Sequence, residues 1–274
     1  MHVPKRSTHL PDCFLPIHFT CPSPPLSFLG SSTKYPADLG DKGGITLDDP
    51  VHNPDFATWN VVYAPYCDGG SWSGEREGAV PVPATVTATA TAAATATATA
   101  AATAAATAAA IDAPLKAIYF RGRANMRAMV ASLLSEGGLD LATDIIIDGG
   151  SAGGLTTLLH ADYFKSLVVA GHQDGEAAAA ASLHYGAIGD AGWFRPDASL
   201  DHKNYTGLMH NMFALMNATT HAACEAAQPP TGDRADCAFA PVVFPHMEAD
   251  MFVLEGGYDS WQVINILGLK CSCE

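Results

Sequence analysis

Gly149-Gly150-Ser151-Ala152-Gly153 sets one hydroxyl among small residues in the spacing Gly-x-Ser-x-Gly. In that spacing flanking glycines let the backbone pass close at a sharp turn while the serine projects its oxygen outward, as acyl transfer to a nucleophilic serine requires. Ala152 would then open a helix, whose free N–H groups and partial positive charge suit a developing oxyanion. The same five residues also fit an ordinary glycine-rich strand-to-helix turn.

A serine attacks only with a base beside it, normally an imidazole held by a carboxylate. Asp259 is the candidate carboxylate: it follows the late apolar run Met251-Phe-Val-Leu254, and hydrolases that use the Gly-x-Ser-x-Gly turn order their triad Ser, acid, His. Its other reading is equally open, as the N-cap of a helix from Trp261 to Leu267. No His follows Asp259, so the third member of such a triad is expected to be missing. His160 or His246 would replace it only in an unusual geometry.

The elements that must hold Ser151 lie on either side of it. Ile145, Ile146 and Ile147 form an apolar run without alternation, the pattern of a strand buried on both faces of a parallel sheet. After Ser151 the apolar residues fall at Leu155, Leu158 and Leu159, then Tyr163 and Phe164, which is helical spacing. Upstream, Met126, Met129, Val130, Leu133 and Leu134 share one helix face that ends at Gly137-Gly138. Trp59-Asn-Val-Val-Tyr63 reads as a strand, and so do Ser166-Leu-Val-Val-Ala170 and Met251–Leu254. Residues 175 to 227 read as a helical cap or surface layer whose scattered histidines are solvated or satisfied in the core. Strands and helices in alternation make an α/β chain with a mostly parallel sheet flanked by helices. Open sheets of that kind put their sites at strand ends. That draws Tyr66, Asp68 and Gly69, in the loop after the first strand, and Trp193, in the loop Gly189–Phe194, into the candidate pocket.

At 274 residues the chain can bury one large core without a second domain. Residues 1 to 28 are Pro-rich and without periodicity, so they read as a poorly ordered leader, and residues 29 to 274 as the single folded domain. The prolines at 16, 22, 24 and 25 make the segment a poor signal peptide. From Ala84 to Ala110 every residue but Val86 is Ala or Thr, a low-complexity insertion with no large side chain to bury. It reads as a frayed helix or a solvated loop, with an O-glycosylated spacer as its functional alternative. A formal net charge of -14 gives no electrostatic case for nucleic acid or an anionic membrane, and no apolar run reaches the ~18 residues of a spanning helix. Seven cysteines suit a larger secreted domain with some bridges and leave at least one thiol unpaired. Asn204-Tyr-Thr206 and Asn217-Ala-Thr219 are glycosylation sequons, relevant only in a secreted chain. The histidine and cysteine spacings offer no metal site.

Six segments carry a resemblance in order and spacing: Asn53-Pro-Asp-Phe56 with Trp59-Asn60, Tyr66-Cys-Asp-Gly69, Tyr119-Phe-Arg-Gly122, Ser151-Ala-Gly-Gly-Leu155 with Leu158-Leu-His160, Asp190-Ala-Gly-Trp-Phe194, and Tyr258-Asp-Ser-Trp-Gln262 with Asn265-Ile-Leu267. Together they resemble the plant pectin acetylesterase family, related to Notum-type carboxylesterases, over roughly residues 29 to 267. The resemblance implies an α/β-hydrolase fold, secretion to the cell wall, and a monomeric, cofactor-free esterase that removes acetyl groups from polysaccharide with Ser151 as nucleophile and Asp259 as its acid. The chain departs from the family pattern at three points. Gly150 stands where the family has Cys; the family's Gly-Gly-Gly-Trp-Cys oxyanion loop is not matched in residues 1 to 28; and its late His-Cys context is absent. The departures imply truncation at both ends and an alternative function, a catalytically impaired relative that at most binds polysaccharide. A structural wall protein built on the Ala/Thr tract is a third reading, against which the elbow and its ordered companions argue.

Overall fold

The computed structural model describes residues 13–20, 43–65, 69–82, 116–201 and 204–269. The Ala/Thr tract, Tyr66 and Asp68 lie outside the described residues. Five strands make one parallel sheet: β1 (Cys13–Thr20), β2 (Val62–Pro65), β5 (Ala142–Gly150), β6 (His184–Asp190) and β7 (Asp250–Leu254), in the spatial order β2-β1-β5-β6-β7. Between them in sequence, β3 (Val80–Val82) and β4 (Lys116–Ile118) pair antiparallel as a separate ribbon. Seven helices complete the frame among the described residues: α1 (Gly122–Glu136), α2 (Ala152–Ala170), α3 (Glu176–Ser182), α4 (Tyr205–Met216), α5 (Ala222–Ala227), α6 (Ala240–Val243) and α7 (Ser260–Asn265). Parallel strands joined through helices are the α/β architecture that the alternation of patterns predicts.

β5 is the centre of the sheet, and the Ile run explains why only in part. Ile145 and Ile147 are buried in a core shared with Met126, Met129, Val130 and Leu133 of α1 and with Phe164 and Val168 of α2. Ile146, on the other face, is half-buried, and the same face of the edge strand leaves Phe252 64% exposed. Burial on both faces of β5, expected from the unbroken apolar run, is therefore not what the described residues provide.

The leader reading is corrected for residues 13 to 20. They form β1 between β2 and β5, with Ile17 opposite both Val62 and Ile147. Pro16 argues against an interior strand because it lacks a ladder N–H. Pro16 faces Ile146 of β5 but lies outside the β2 ladder, which covers only Ile17 to Thr20, so the missing donor is set against one long and one short parallel ladder whose partners lie far away in sequence and leave no local signal. Ser166 to Ala170 is also corrected, from strand to the last turns of α2. Val168 and Val169 favour a strand by propensity, but Phe164 and Val168, four apart, lie on one buried helical face.

α2 is buried on nearly every side from Gly153 to Ala161, as a helix apolar all round must be. One side meets the sheet. The other meets a second core made by Leu155, Leu158, Leu159, Phe194, Tyr205, Phe239, Ala240, Val243 and Ile266. A helical layer is expected over all of residues 175 to 227, and that reading is corrected for His184–Asp190: they form β6 inside the sheet, where Tyr185 and Ala187 alternate into the core. A disulfide between Cys224 and Cys237 staples the second core, both residues being fully buried. Asp162, on α2, ties the layers together: it accepts from the backbone N–H groups of Glu248 and Ala249 at 2.8 and 2.7 Å and lies 2.7 Å from His221 Nε2. Burial pushes that carboxyl up, but the bond from His221 and the two backbone bonds outweigh it and hold the group below its ordinary value.

Candidate active site

The register of the sheet brings the candidate residues to one edge. Gly150 of β5 pairs with Asp190 of β6, which pairs with Leu254 of β7. Whatever follows these three strands therefore emerges at the same, carboxyl end, with β5 and β7 two strand spacings apart, about 10 Å. Ser151 follows the first and Asp259 the third.

Ser151 sits at φ 56 and ψ -119, between the last residue of β5 and the first of α2. That conformation is strained for any residue with a Cβ. It is held by a hydrogen bond from Ser151 N–H to the Asp190 carbonyl at 2.8 Å and one from Leu155 N–H to the Ser151 carbonyl at 3.0 Å. The side chain is exposed and makes no capping bond to its own helix. Ala152 starts α2, so its N–H has no acceptor within the helix, and it lines the same cavity as Ser151.

The close approach that lets this turn form is made by two glycines beyond the Gly-x-Ser-x-Gly frame. A Cβ on Gly154 would stand 2.4 Å from the Asp190 carbonyl oxygen, and one on Gly192 would stand 2.3 Å from the Gly154 carbonyl carbon. The first turn of α2 thus rests directly on the backbone of the loop after β6. A Cβ on Gly150 would meet nothing within 4 Å, so the residue type there is unconstrained by space.

Ser151 opens into a cavity of about 260 Å³. Its floor is apolar: Leu155 and Leu159 of α2, Phe194, Tyr205 and Trp261, and the α4 stripe Met209, Met212, Phe213 and Met216. Polar atoms come from Gly69, Gly70, Ser71, Ser73 and Thr220. Gly69 of the candidate pocket is thus in place. Trp193 is not: its ring packs edge-on against Phe244 at 5.2 Å, and the neighbouring Phe194 lines the cavity instead. The reason is the strained Ala191 (φ 47) and a bond from Trp193 N–H to Glu255 Oε2 at 2.8 Å, which together turn the loop so that alternate rings point apart. The α4 stripe is outside the pocket that the sequence predicts, although its i, i+3, i+4, i+7 spacing is that of one helix face.

Asp259 caps α7, its Oδ1 accepting from Gln262 N–H at 2.7 Å. The capping reading is therefore realised, and it uses one oxygen of a half-buried carboxylate five residues beyond the end of β7. His160, considered as a substitute base, is nine residues beyond Ser151 on the same helix, about 13 Å along its axis, and its Nε2 is 2.8 Å from Ser73 Oγ. Other described imidazoles face other partners: His210 lies between Asp233 and Asp236, His221 meets Asp162, and His184 meets Asp144. Among the described residues no group of three or more His, Cys, Asp or Glu is placed to hold a metal ion.

A family model described as Pectinacetylesterase matches residues 18–86 and 103–274. Among curated proteins the chain is similar to pectin acetylesterase 5 of Arabidopsis thaliana, 27% identical over 255 residues that cover 90% of this chain and 47% of the relative. It is 26% identical to pectin acetylesterase 7 of the same plant, over 87% of this chain and 49% of the relative. Similarity extends to palmitoleoyl-protein carboxylesterase NOTUM of Schmidtea mediterranea, 21% identical over 81% of this chain and 35% of that protein. The chain spans about half the length of the curated plant relatives it matches. Among solved structures, the Wnt deacylase Notum from Drosophila superposes with a TM-score of 0.69 at 17% identity, over 97% of this chain and 70% of that one, a likeness of fold.

Proposed function

This chain belongs to the pectinacetylesterase family, and on that premise we propose that it is a serine carboxylesterase acting on acetyl esters of cell-wall pectin or a related polysaccharide. One observation carries the reading: Ser151 holds the strained φ 56, ψ -119 geometry at the mouth of a cavity, with its hydroxyl turned outward from its own helix. Backbone strain of this kind persists only where the surroundings over-determine it. In the reaction Ser151 Oγ attacks the acetyl carbonyl, the Ala152 N–H stabilises the oxyanion, and the alcohol of the sugar leaves with the proton that a base took from Ser151. Asp259 orients that base. Water then repeats the sequence on the acetyl-serine and releases acetate. The buried Cys224–Cys237 disulfide supports an oxidising location, outside the cell.

A second reading, a relative that binds polysaccharide without turning it over, is favoured by the imidazoles of His160, His184, His210 and His221, which meet Ser73, Asp144, Asp233 with Asp236, and Asp162. A missing base costs on the order of 10⁶ in turnover, about 8 kcal/mol of barrier. Hydrolysis of 4-nitrophenyl acetate and acetate release from acetylated pectin, each compared with Ser151→Ala, separate the two. The esterase reading expects activity that Ser151→Ala abolishes. Activity indifferent to Ser151→Ala would remove Ser151 from the chemistry, and pectin binding with a rate equal to buffer would establish the second reading.

A further inference from the structure

Behind the cavity wall lies a chain of buried polar side chains that the chemistry above does not use. His160 is 1% exposed. Its Nδ1 is 3.4 Å from Arg123 Nη1 and its Nε2 is 2.8 Å from Ser73 Oγ. A guanidinium only donates, so Nδ1 is the acceptor and the ring proton sits on Nε2, which donates to Ser73. The Ser73 hydroxyl in turn donates to the Ser71 carbonyl at 3.3 Å. The protons thus run in one direction, from Arg123 to the Ser71 backbone.

Both ends of this chain are anchored. The Arg123 guanidinium lies 3.6 Å over the Tyr163 ring, its Nε is 3.8 Å from Glu75 Oε2, and its backbone N–H donates to the Gly74 carbonyl at 3.1 Å. At the far end, Ser71 and Trp72 have φ of 47 and 57, two successive side-chain-bearing residues in the left-handed region. Each costs on the order of 1 kcal/mol or more there. Ser71 and Ser73 line the cavity that Ser151 opens into. The turn is further pinned by Thr219 N–H on the Ser73 carbonyl and Glu75 N–H on the Met216 carbonyl.

We propose that Arg123 and His160 are positioning residues for the Ser151 cavity: through Ser73 they hold the strained Ser71–Trp72 turn that forms one of its walls. The effect on chemistry rests on the esterase reading; the hold on the turn does not. A buried donor chain with one proton direction gives the turn a single shape, and a wall of fixed shape is what a reacting ester needs, since displacements near 1 Å cost on the order of 10²-fold in rate.

The test uses the 274-residue chain with Ser73→Ala, His160→Leu and His160→Gln, Ser73→Ala being small enough to fold. Amide hydrogen exchange over residues 69–75 is compared with residues 142–150. Ser73→Ala and His160→Leu are expected to speed exchange in 69–75 on the order of tenfold with 142–150 unchanged, and His160→Gln, which keeps a donor toward Ser73, to restore it. The ¹⁵N spectrum of the imidazole is expected to show a proton on Nε2 with no titration between pH 5 and 8. In parallel, labelling of Ser151 by an alkyl fluorophosphonate should slow at saturating probe in Ser73→Ala and His160→Leu, with the half-saturating concentration unchanged. Unchanged exchange, or an imidazole titrating near its ordinary pKa, overturns the relay. Faster exchange with unchanged labelling overturns its role in the site. If the wild-type chain leaves Ser151 unlabelled, the esterase reading fails and exchange and titration still decide the relay.

Discussion

Two residues concentrate the local energetics. Ser151 pays for its geometry in strain, so replacing it separates conformation from chemistry. Ser151→Gly should be about 1 kcal/mol more stable than Ser151→Ala, because glycine enters φ 56 without a Cβ and loses only part of that gain to its freer unfolded chain. Urea unfolding of the two variants measures it, and equal midpoints would mean the turn is unstrained. His160 governs acid stability. Burial, and then the charge of Arg123, push its imidazole down to about 3. The unfolded ring takes up a proton near pH 6.5 that the folded ring refuses until about pH 3, so stability is whole above pH 6.5 and declines as pH falls toward 3. Between pH 6.5 and 4.5 the loss should be about 2 to 3 kcal/mol. His160→Gln should flatten that part of the profile, and an unchanged slope in the variant would assign the acid lability to other groups.

At the scale of elements, what sequence patterns reveal depends on how far away the partner lies. The β5–turn–α2 unit was legible because strand, glycines and helical spacing are contiguous, and α1 because its apolar face and glycine stop are local. β1 is not, since its partners Val62 and Ile147 carry the reason for its place in the sheet and Pro16 argues the other way. Ser166–Ala170 is misleading because Val168 and Val169 favour a strand by propensity while the helix before them continues through Ala170. In the site, Ser151 and Gly69 were readable from motif and loop position; the exchange of Trp193 for Phe194 was not, since it follows from a hydrogen bond 62 residues away in sequence. The glycines show the same limit. Gly154 and Gly192 touch backbone to backbone, whereas Gly150 borders open space. Gly192→Ala should therefore cost about 3 kcal/mol or fail to fold, as overpacking against immovable backbone does, while Gly150→Ala should stay within about 0.5 kcal/mol of the parent. Thermal melts of both suffice, and a tolerated Gly192→Ala would contradict the packing of α2 on the loop after β6.

For the whole molecule, the layer over α2 carries one covalent link among the described residues. Cys224 and Cys237 are 13 residues apart, and opening a loop of that size should remove about 3 kcal/mol. The double variant Cys224→Ala with Cys237→Ala should lower the melting temperature by several degrees, and because Ala238 and Tyr205 line the cavity, it should also weaken whatever binds there. A variant melting with the parent would mean that the second core holds without its staple.

The placement of β1 sets a schedule as well as a shape. Cys13 is opposite Ala142, so β1, the neighbour of the central β5, is synthesised 129 residues before its main partner. At about 5 to 20 residues per second that interval is roughly 6 to 26 seconds, during which β1 has at most the short β2 beside it. A cell making this protein therefore keeps an open strand edge in view of chaperones until β5 has been made. Slowing translation between residues 65 and 142 should lower the yield of folded protein more than slowing it after residue 150.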